Sequence, residues 1–288
     1  MVVVVTGANG QLGQSIQFIA NNYPEIHFIF CDSATLDITN IDSCNLIFAT
    51  YKPDFCINAA AYTAVDRAET EPEKAFEVNV LGAKNLAEVC KTHDTVLLHV
   101  STDFVFDGKK TTPYTEQDTP HPTGVYGQTK REGEQAIEQT WEKHYIVRTS
   151  WVYSQFGANF MKTMLRLASE RDSLSVVSDQ IGTPTNAVDL AEALLTIIQS
   201  SITHHPSLTT FGIYNFSNEG QCSWYDFAAA IFKQKELKMD LKPIPTSAYP
   251  TPASRPAYSV LDKTKIKNTF NIEVNEWKTS LVRGINLL

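Results

Sequence analysis

At 288 residues, 43% hydrophobic and 19% charged, the chain has the composition of an ordinary globular protein, not of a disordered or membrane-embedded one. That length predicts one large domain, or a nucleotide-binding domain with a smaller partner. The formal charge of −8 and the absence of a Lys/Arg cluster exclude a broad nucleic-acid surface, which needs many cations to displace phosphate counterions, but leave room for a small anionic ligand.

Met1–Val5 leads straight into a glycine-rich turn, with no basic segment followed by a long apolar run. A cytoplasmic protein with no membrane partner is therefore expected. Val2–Val5 reads as a strand, Gly7–Gly13 as a turn, and Leu12, Ile16 and Ile19 recur at helical spacing. His27–Cys31 supplies a second strand. Further buried strands are predicted at Phe55–Asn58, Val96–Ser101 and Tyr145–Thr149, separated by helical periodicity at Ala75–Cys90 and Gly133–Gln139. This alternation predicts an α/β fold: a Rossmann-type, doubly wound parallel sheet covered by helices on both faces. Beyond residue 150, Ala187–Gln199 reads as a helix and Gly212–Ser217 as a strand that rejoins the first lobe. Pro243–Pro256 is too polar and interrupted to be either element and is expected as a loop. The domain expectation is a dinucleotide-binding lobe of residues 1–150 plus about 187–217, and a smaller substrate lobe of 151–186 and 218–288. The five cysteines are odd in number, widely spaced and without a Cys-x-x-Cys pair, so they are expected as reduced, packed thiols.

Thr6-Gly7-Ala8-Asn9-Gly10-Gln11-Leu12-Gly13 places glycines three apart, directly after a strand and at the start of a helix. Glycine admits positive φ and lets backbone approach a pyrophosphate, while the helix N-terminus offers free N–H groups and a positive dipole end. A bound dinucleotide, NADPH or NADH, follows. Asp32, at the end of the second strand and about twenty residues past the glycine loop, is placed to bond the adenosine ribose, with turn capping as the competing role.

Tyr126-Gly127-Gln128-Thr129-Lys130 puts a phenol and an ammonium four residues apart, on one face of a helix. The lysine charge is expected to lower the phenol's pKa, so that Tyr126 can give a proton to a ketone oxygen while Lys130 also holds the nicotinamide ribose. Thr102 ends a central strand at the crevice edge, where its hydroxyl can bond a substrate carbonyl. Asp103 either positions a sugar hydroxyl or caps its loop. Trp151 either stacks on a sugar or base or belongs to the core.

On these residues the chain resembles the dTDP-4-dehydrorhamnose reductase family of extended short-chain dehydrogenases/reductases. The resemblance is carried by Gly7–Gly13, Leu36–Thr39, Asn58–Asp66, Ser101–Gly108, Tyr126–Lys130, Arg148–Tyr153, Asp179–Thr185, and Arg255-Pro256 with Ser259–Asp262. It implies reduction of the C4 ketone of dTDP-4-dehydro-6-deoxy-L-mannose to dTDP-L-rhamnose, so that a dTDP-sugar is the partner. It further implies that Tyr126 is the proton donor, Lys130 its activator and Thr102 the carbonyl partner. Gly10, Gln11 and Leu12 would match the cofactor loop, Asp37 and Ile38 the adenine side, and Ala61, Tyr62 and Thr63 the run along the dinucleotide. Val65, Thr102, Asp103 and Trp151 would stand beside the sugar. Arg255 and Asp179–Thr185 would stand on the nucleotide side. Two positions depart: Phe104 replaces the family's common Tyr, and Ser15 stands where some members carry a Glu linked to a magnesium-bridged dimer. Magnesium is therefore not expected, and the chain is expected to be a monomer or homodimer. The rivals are a reductase, epimerase or 4,6-dehydratase of another nucleotide sugar, and a non-catalytic regulatory subunit of the kind that accompanies methionine adenosyltransferase.

Overall fold

The computed structural model describes residues 1–203 and 210–288. In chain order the first half comprises β1 (Val2–Thr6), α1 (Gln11–Ile19), β2 (His27–Cys31), α2 (Ile41–Tyr51), β3 (Phe55–Asn58), α3 (Val65–Ala68), α4 (Pro72–Phe76), α5 (Gly82–His93), β4 (Val96–Thr102), α6 (Val125–Thr140) and β5 (His144–Thr149). The second half comprises β6 (Val152–Tyr153), α7 (Phe160–Glu170), β7 (Ser173–Val177), β8 (Ile181–Gly182), β9 (Thr185–Asn186), α8 (Ala187–Thr203), β10 (Gly212–Asn215), β11 (Cys222–Ser223), α9 (Trp224–Gln234), β12 (Asp240–Ile244), α10 (Thr264–Phe270) and α11 (Trp277–Asn286).

Six strands pair in parallel in the order β10-β5-β4-β3-β1-β2. Period-two alternation of side chains assigns each strand residue to one of two cores. Val3, Val5, Phe55, Ile57, Leu98, Tyr145 and Val147 face the layer of α1 and α8, where Leu12, Ile16, Leu194 and Ile198 meet them. Val4, Cys56, Leu97 and Ile146 face α2 and α5, against Cys44, Phe48, Leu86 and Cys90. Because both faces are covered, Val2–Val5, Phe55–Ile57 and Tyr145–Val147 are apolar, which is why they read as continuous hydrophobic runs. The chain leaves β1 toward β2 on one side and returns to β3 on the other. The crevice at the carboxyl ends of β1 and β3 is thus the sheet's switch point.

A third core packs Tyr153, Met161, Met164, Leu174, Val176, Phe227, Ile231, Trp277 and Leu281. Two expectations need correction. The Pro243–Pro256 stretch is not all loop: Pro243 lies within β12, paired with Val176 of β7. An edge strand tolerates proline because one side of its backbone has no ladder partner. The helical run expected from Ala75 begins earlier, at Pro72, and passes through a π-helical turn at Glu77–Leu81 before α5. All five cysteines are free and buried. Among the described residues, no helix is long and apolar enough to cross a membrane.

Candidate active site

The glycine loop is built by close approach. Gly7 has φ +64°, and a Cβ there would stand 2.7 Å from the Ala60 nitrogen, so the loop lies directly on the segment leaving β3. A Cβ on Gly13 would stand 2.4 Å from the Gly7 carbonyl oxygen, so only glycine lets α1 start this near the turn. Gly10 is the N-cap of α1, with no side-chain cap and no acidic residue in the first turn. The first-turn N–H groups are thereby left for an anion, and this cradle fits a dinucleotide pyrophosphate. Leu12 is buried in the core, so its backbone and not its side chain faces the loop. Gln11 reaches across to the segment after β6, its Oε1 accepting from Ser154 Oγ at 3.2 Å and Asn159 Nδ2 at 2.9 Å.

The adenine-side residues lie beyond β2. Asp32 caps the turn after its strand: Oδ1 accepts from the Thr35 N–H (2.9 Å), the Thr35 hydroxyl (2.9 Å) and the Ala34 N–H (3.2 Å), while Oδ2 takes Asn9 Nδ2 at 3.1 Å. The Thr35 donors hold its carboxyl below the usual range. Asp37 is exposed and caps Thr39, whereas Ile38 is buried with its side chain against Gly82.

Ala61, Tyr62 and Thr63 leave β3 along the crevice. Asn79, from the π-helical turn, clamps this run: its Oδ1 accepts the Tyr62 N–H at 2.9 Å, and its Nδ2 donates to the Tyr62 carbonyl at 3.2 Å and to Thr129 Oγ1 at 3.1 Å. A lone Asn inside a helical period gave no sequence signal of this role. The Tyr62 hydroxyl donates to Glu71 at 2.8 Å.

Thr102 and Tyr126 come together at the end of β4, with Lys130 one turn further along α6. Thr102 is 5% exposed; its hydroxyl accepts the Phe104 N–H at 3.2 Å, donates to Asp103 Oδ1 at 3.2 Å, and lies near enough to the Tyr126 phenol to pull its pKa down. It therefore caps the 3-10 turn at Asp103–Val105 and faces the phenol as well. Gly127 lets α6 approach this turn, since a Cβ there would lie 2.2 Å from the Phe104 carbonyl oxygen. The Phe104 ring stands edge-on to Tyr126, with centroids 5.6 Å apart.

The expected depression of the phenol pKa is not found. Burial pushes Tyr126 up to about 12, outweighing the Thr102 hydrogen bond. The Lys130 side chain instead turns beneath the sheet edge, where its Nζ donates to the Val100 carbonyl at 2.8 Å and lies 3.1 Å from His99 Nε2. Burial draws Lys130 down to about 8, against the pull of Glu134. Asp103 is 1% exposed, and burial raises its carboxyl to about 6 despite the Ser259 and Thr102 hydroxyls.

Ser101 belongs to the framework. Its hydroxyl donates to Glu134 at 2.6 Å, and Glu134 takes Arg148 through Nε at 2.9 Å and Nη2 at 2.7 Å. Trp151, at φ +48°, stacks on Trp224 with ring centroids 3.6 Å apart, and Gly182 is glycine because a Cβ would stand 2.6 Å from the indole. Trp224, which no motif marked, thus fixes one face of Trp151. Val65 opens α3, and beside it Asp66 holds Arg255 with two hydrogen bonds of 2.8 Å. The guanidinium expected to meet a diphosphate is thereby committed to Asp66. Asp179 accepts from the Thr246 N–H and hydroxyl and fixes that turn. Ser15 is buried, its hydroxyl bonded to the Gln11 carbonyl.

A sequence profile described as "RmlD substrate binding domain" matches residues 1–288. The dTDP-4-dehydrorhamnose reductase of Aggregatibacter actinomycetemcomitans is 45% identical over 97% of this chain and 96% of its own. The crystal structure of a dTDP-4-dehydrorhamnose reductase from Clostridium acetobutylicum superposes with a TM-score of 0.94 at 41% identity, covering 100% of this chain and 99% of that one. The Bacillus anthracis enzyme of the same name, solved in complex with NADP, gives 0.94 at 37% identity, covering 100% and 99%. A switch-point glycine cradle, a Thr–Tyr pair at the end of β4 with a Lys one turn along α6, and full-length similarity agree: the chain belongs to the dTDP-4-dehydrorhamnose reductase family, enzymes of the Rossmann-type short-chain dehydrogenase/reductase fold.

Proposed function

We propose that this chain reduces the C4 ketone of dTDP-4-dehydro-6-deoxy-L-mannose to dTDP-L-rhamnose in the cytoplasm, using NADPH or NADH. The observation that carries the reading is the placement of Thr102 and Tyr126 together against Phe104 at the crevice edge, beside a helix N-terminus left open for a pyrophosphate. When bound, the nicotinamide supplies the hydride. The chain's part is to orient and protonate: Thr102 and Tyr126 hydrogen-bond the ketone oxygen, and the Tyr126 phenol delivers its proton there. Lys130 supports the phenol from within α6. Gly7, Gly10, Gln11, Leu12 and Gly13 hold the pyrophosphate by backbone, with Asp32, Asp37 and Ile38 on the adenosine side and Ala61–Thr63 along the dinucleotide. Val65, Asp103, Trp151 and Arg255 surround the sugar nucleotide. In this reading residues 1–150 with 187–217 bind the dinucleotide, and 151–186 with 218–288 bind the sugar.

The test is nicotinamide oxidation, followed by absorbance, with dTDP-4-keto sugars of defined stereochemistry. Preferred turnover of the L-mannose-configured 6-deoxy sugar supports the reading; dinucleotide binding without turnover of any of them refutes it and favours a regulatory protein. Phe104 favours one second reading, reduction of a related 4-keto sugar, because its ring brings no hydroxyl to the site. Catalysis without magnesium is part of the proposal, since Ser15 offers a buried, already bonded hydroxyl and no carboxylate. Activity abolished by a chelator and restored by magnesium contradicts that part.

A further inference from the structure

A chain of buried polar groups runs beneath the site, from the glycine loop to Lys130. Thr6, at the end of β1, donates its hydroxyl to Asn58 Oδ1 at 2.7 Å, and the Ala60 N–H donates to the same oxygen at 3.2 Å. With its oxygen committed twice, Asn58 turns its NH₂ toward His99 Nδ1, 3.0 Å away. His99, on β4, is 1% exposed, and its Nε2 stands 3.1 Å from Lys130 Nζ. Lys130 is itself only 2% exposed. Four elements, β1, β3, β4 and α6, are thus joined by one line of side chains. The Val and Leu around His99 in the strand alternation would fill the same space without a hydrogen bond, so a histidine here is a polar group retained at a desolvation cost.

The proton count along this line is restrictive. Nδ1 accepts from Asn58, so the single proton of a neutral imidazole sits on Nε2 and faces Lys130. At 3.1 Å that N–H requires a lone pair, which Lys130 offers as an amine. Burial drives both groups the same way, taking His99 well below its ordinary range and Lys130 down to about 8. The other titratable groups facing the pair are Glu134 on α6, neutralised by Arg148 of β5, and His144 of β5.

We infer that His99 is a positioning residue for the reaction: its imidazole holds the Lys130 side-chain nitrogen in place at the Val100 carbonyl, one helical turn along α6 from Tyr126, and couples that nitrogen, through Asn58 and Thr6, to the loop that binds the dinucleotide. The inference rests on Tyr126 and Lys130 being the reacting pair proposed above. His99 touches neither substrate nor dinucleotide and acts through Lys130 alone.

Three substitutions separate this role from that of a buried filler. His99→Gln carries a carboxamide far enough to reach Lys130, His99→Asn reaches only Asn58, and His99→Leu reaches neither. The expected result is a kcat within about threefold of wild type for the Gln variant. For Asn and Leu the expected loss is on the order of 10- to 100-fold, the scale set by groups that orient functional side chains at metal centres. The KM for the dTDP-4-keto sugar should change less than about threefold in all of them, because the substrate-contacting groups remain. If the Leu variant does not fold, the Gln and Asn pair still decides, since both keep a polar group in the same space. Equal kcat in Gln and Asn, whatever its size, overturns the inference, as does a loss confined to thermal stability. Lys130→Met serves as the control: if it retains wild-type turnover, the reading of the reacting pair fails. If it loses turnover while Gln and Asn behave alike, only the role of His99 fails.

Discussion

Replacing Arg148 by Met tests whether the framework that holds α6 against the sheet depends on one buried ion pair. Glu134 and Arg148 are 0% and 1% exposed, and their two hydrogen bonds of 2.9 and 2.7 Å tie α6 to β5 while Ser101 adds β4. Removing one partner of a buried pair costs about 3–5 kcal/mol, because the other charge is left without compensation. Two features place Arg148→Met at the lower end. Arg131 Nη1 still reaches Glu134 at 2.9 Å, and Arg148 Nη1 has no hydrogen-bond partner among the described residues, so the guanidinium is imperfectly satisfied to begin with. A loss of about 3 kcal/mol at neutral pH is expected from urea unfolding midpoints. The pH dependence carries a definite sign. Burial alone would raise the Glu134 carboxyl, but Arg148, Ser101 and Arg131 hold it below its ordinary value, so in the wild type its stabilisation is present above the unfolded carboxyl pKa and lost as pH falls through the lower folded one. Without Arg148 burial prevails, the folded pKa lies above the unfolded one, and the variant recovers relative to wild type as pH falls through that raised value. The gap between the two proteins should therefore narrow from pH 7 toward about pH 4.5, near the ordinary carboxyl value. A gap below about 1 kcal/mol, or one that is the same at both pH values, refutes the reasoning. The double substitution Glu134→Leu with Arg148→Met should recover most of the loss, since no charge is then stranded.

Tyr126→Phe should lower kcat by roughly 10²–10⁴-fold while leaving dinucleotide binding, read by fluorescence, near wild type; near-normal turnover would remove Tyr126 from the donor role. Because burial raises Asp103 to about 6, its carboxylate becomes neutral as pH falls through that value, and the sugar KM should rise there. Asp103→Asn should abolish that inflection, and an inflection that persists would assign it to another group. Asp32 leaves no cation beside the expected ribose position, so NADH should serve at least as well as NADPH. Asp32→Ala should shift kcat/KM toward NADPH, whereas a wild-type preference for NADPH that the substitution leaves unchanged would confine Asp32 to its turn with Thr35.

The inner strands of the central sheet were legible where both faces are buried, because such a stretch appears as an uninterrupted apolar run, as in Val2–Val5 and Phe55–Ile57. The glycine loop was legible because steric exclusion at Gly7 and Gly13 leaves no other residue possible. What escaped was tertiary in origin. The pose of Lys130 depends on His99 from another element, 31 positions away, and no spacing rule joins them. Arg255 reads as a free cation until the fold brings Asp66, 189 positions distant, against it. Trp151 reads equally as a ligand platform or a core residue until Trp224 is seen to cover one of its faces. The four-residue spacing of Tyr126 and Lys130 does not bring the lysine charge to the phenol, because the polar line under the sheet draws the lysine nitrogen toward Val100 and His99.

That last difference bears on the direction of the reaction. A residue that must take a proton from an alcohol serves best with its pKa lowered toward the working pH, so that a useful fraction is phenolate. A residue that must give a proton to a ketone needs to be protonated, and a phenol held near 12 is protonated throughout the neutral range. Asp103, whose negative charge raises the phenol further, opposes loss of its proton. On the proposed roles, burial and the neighbouring carboxylate therefore bias the site toward reduction.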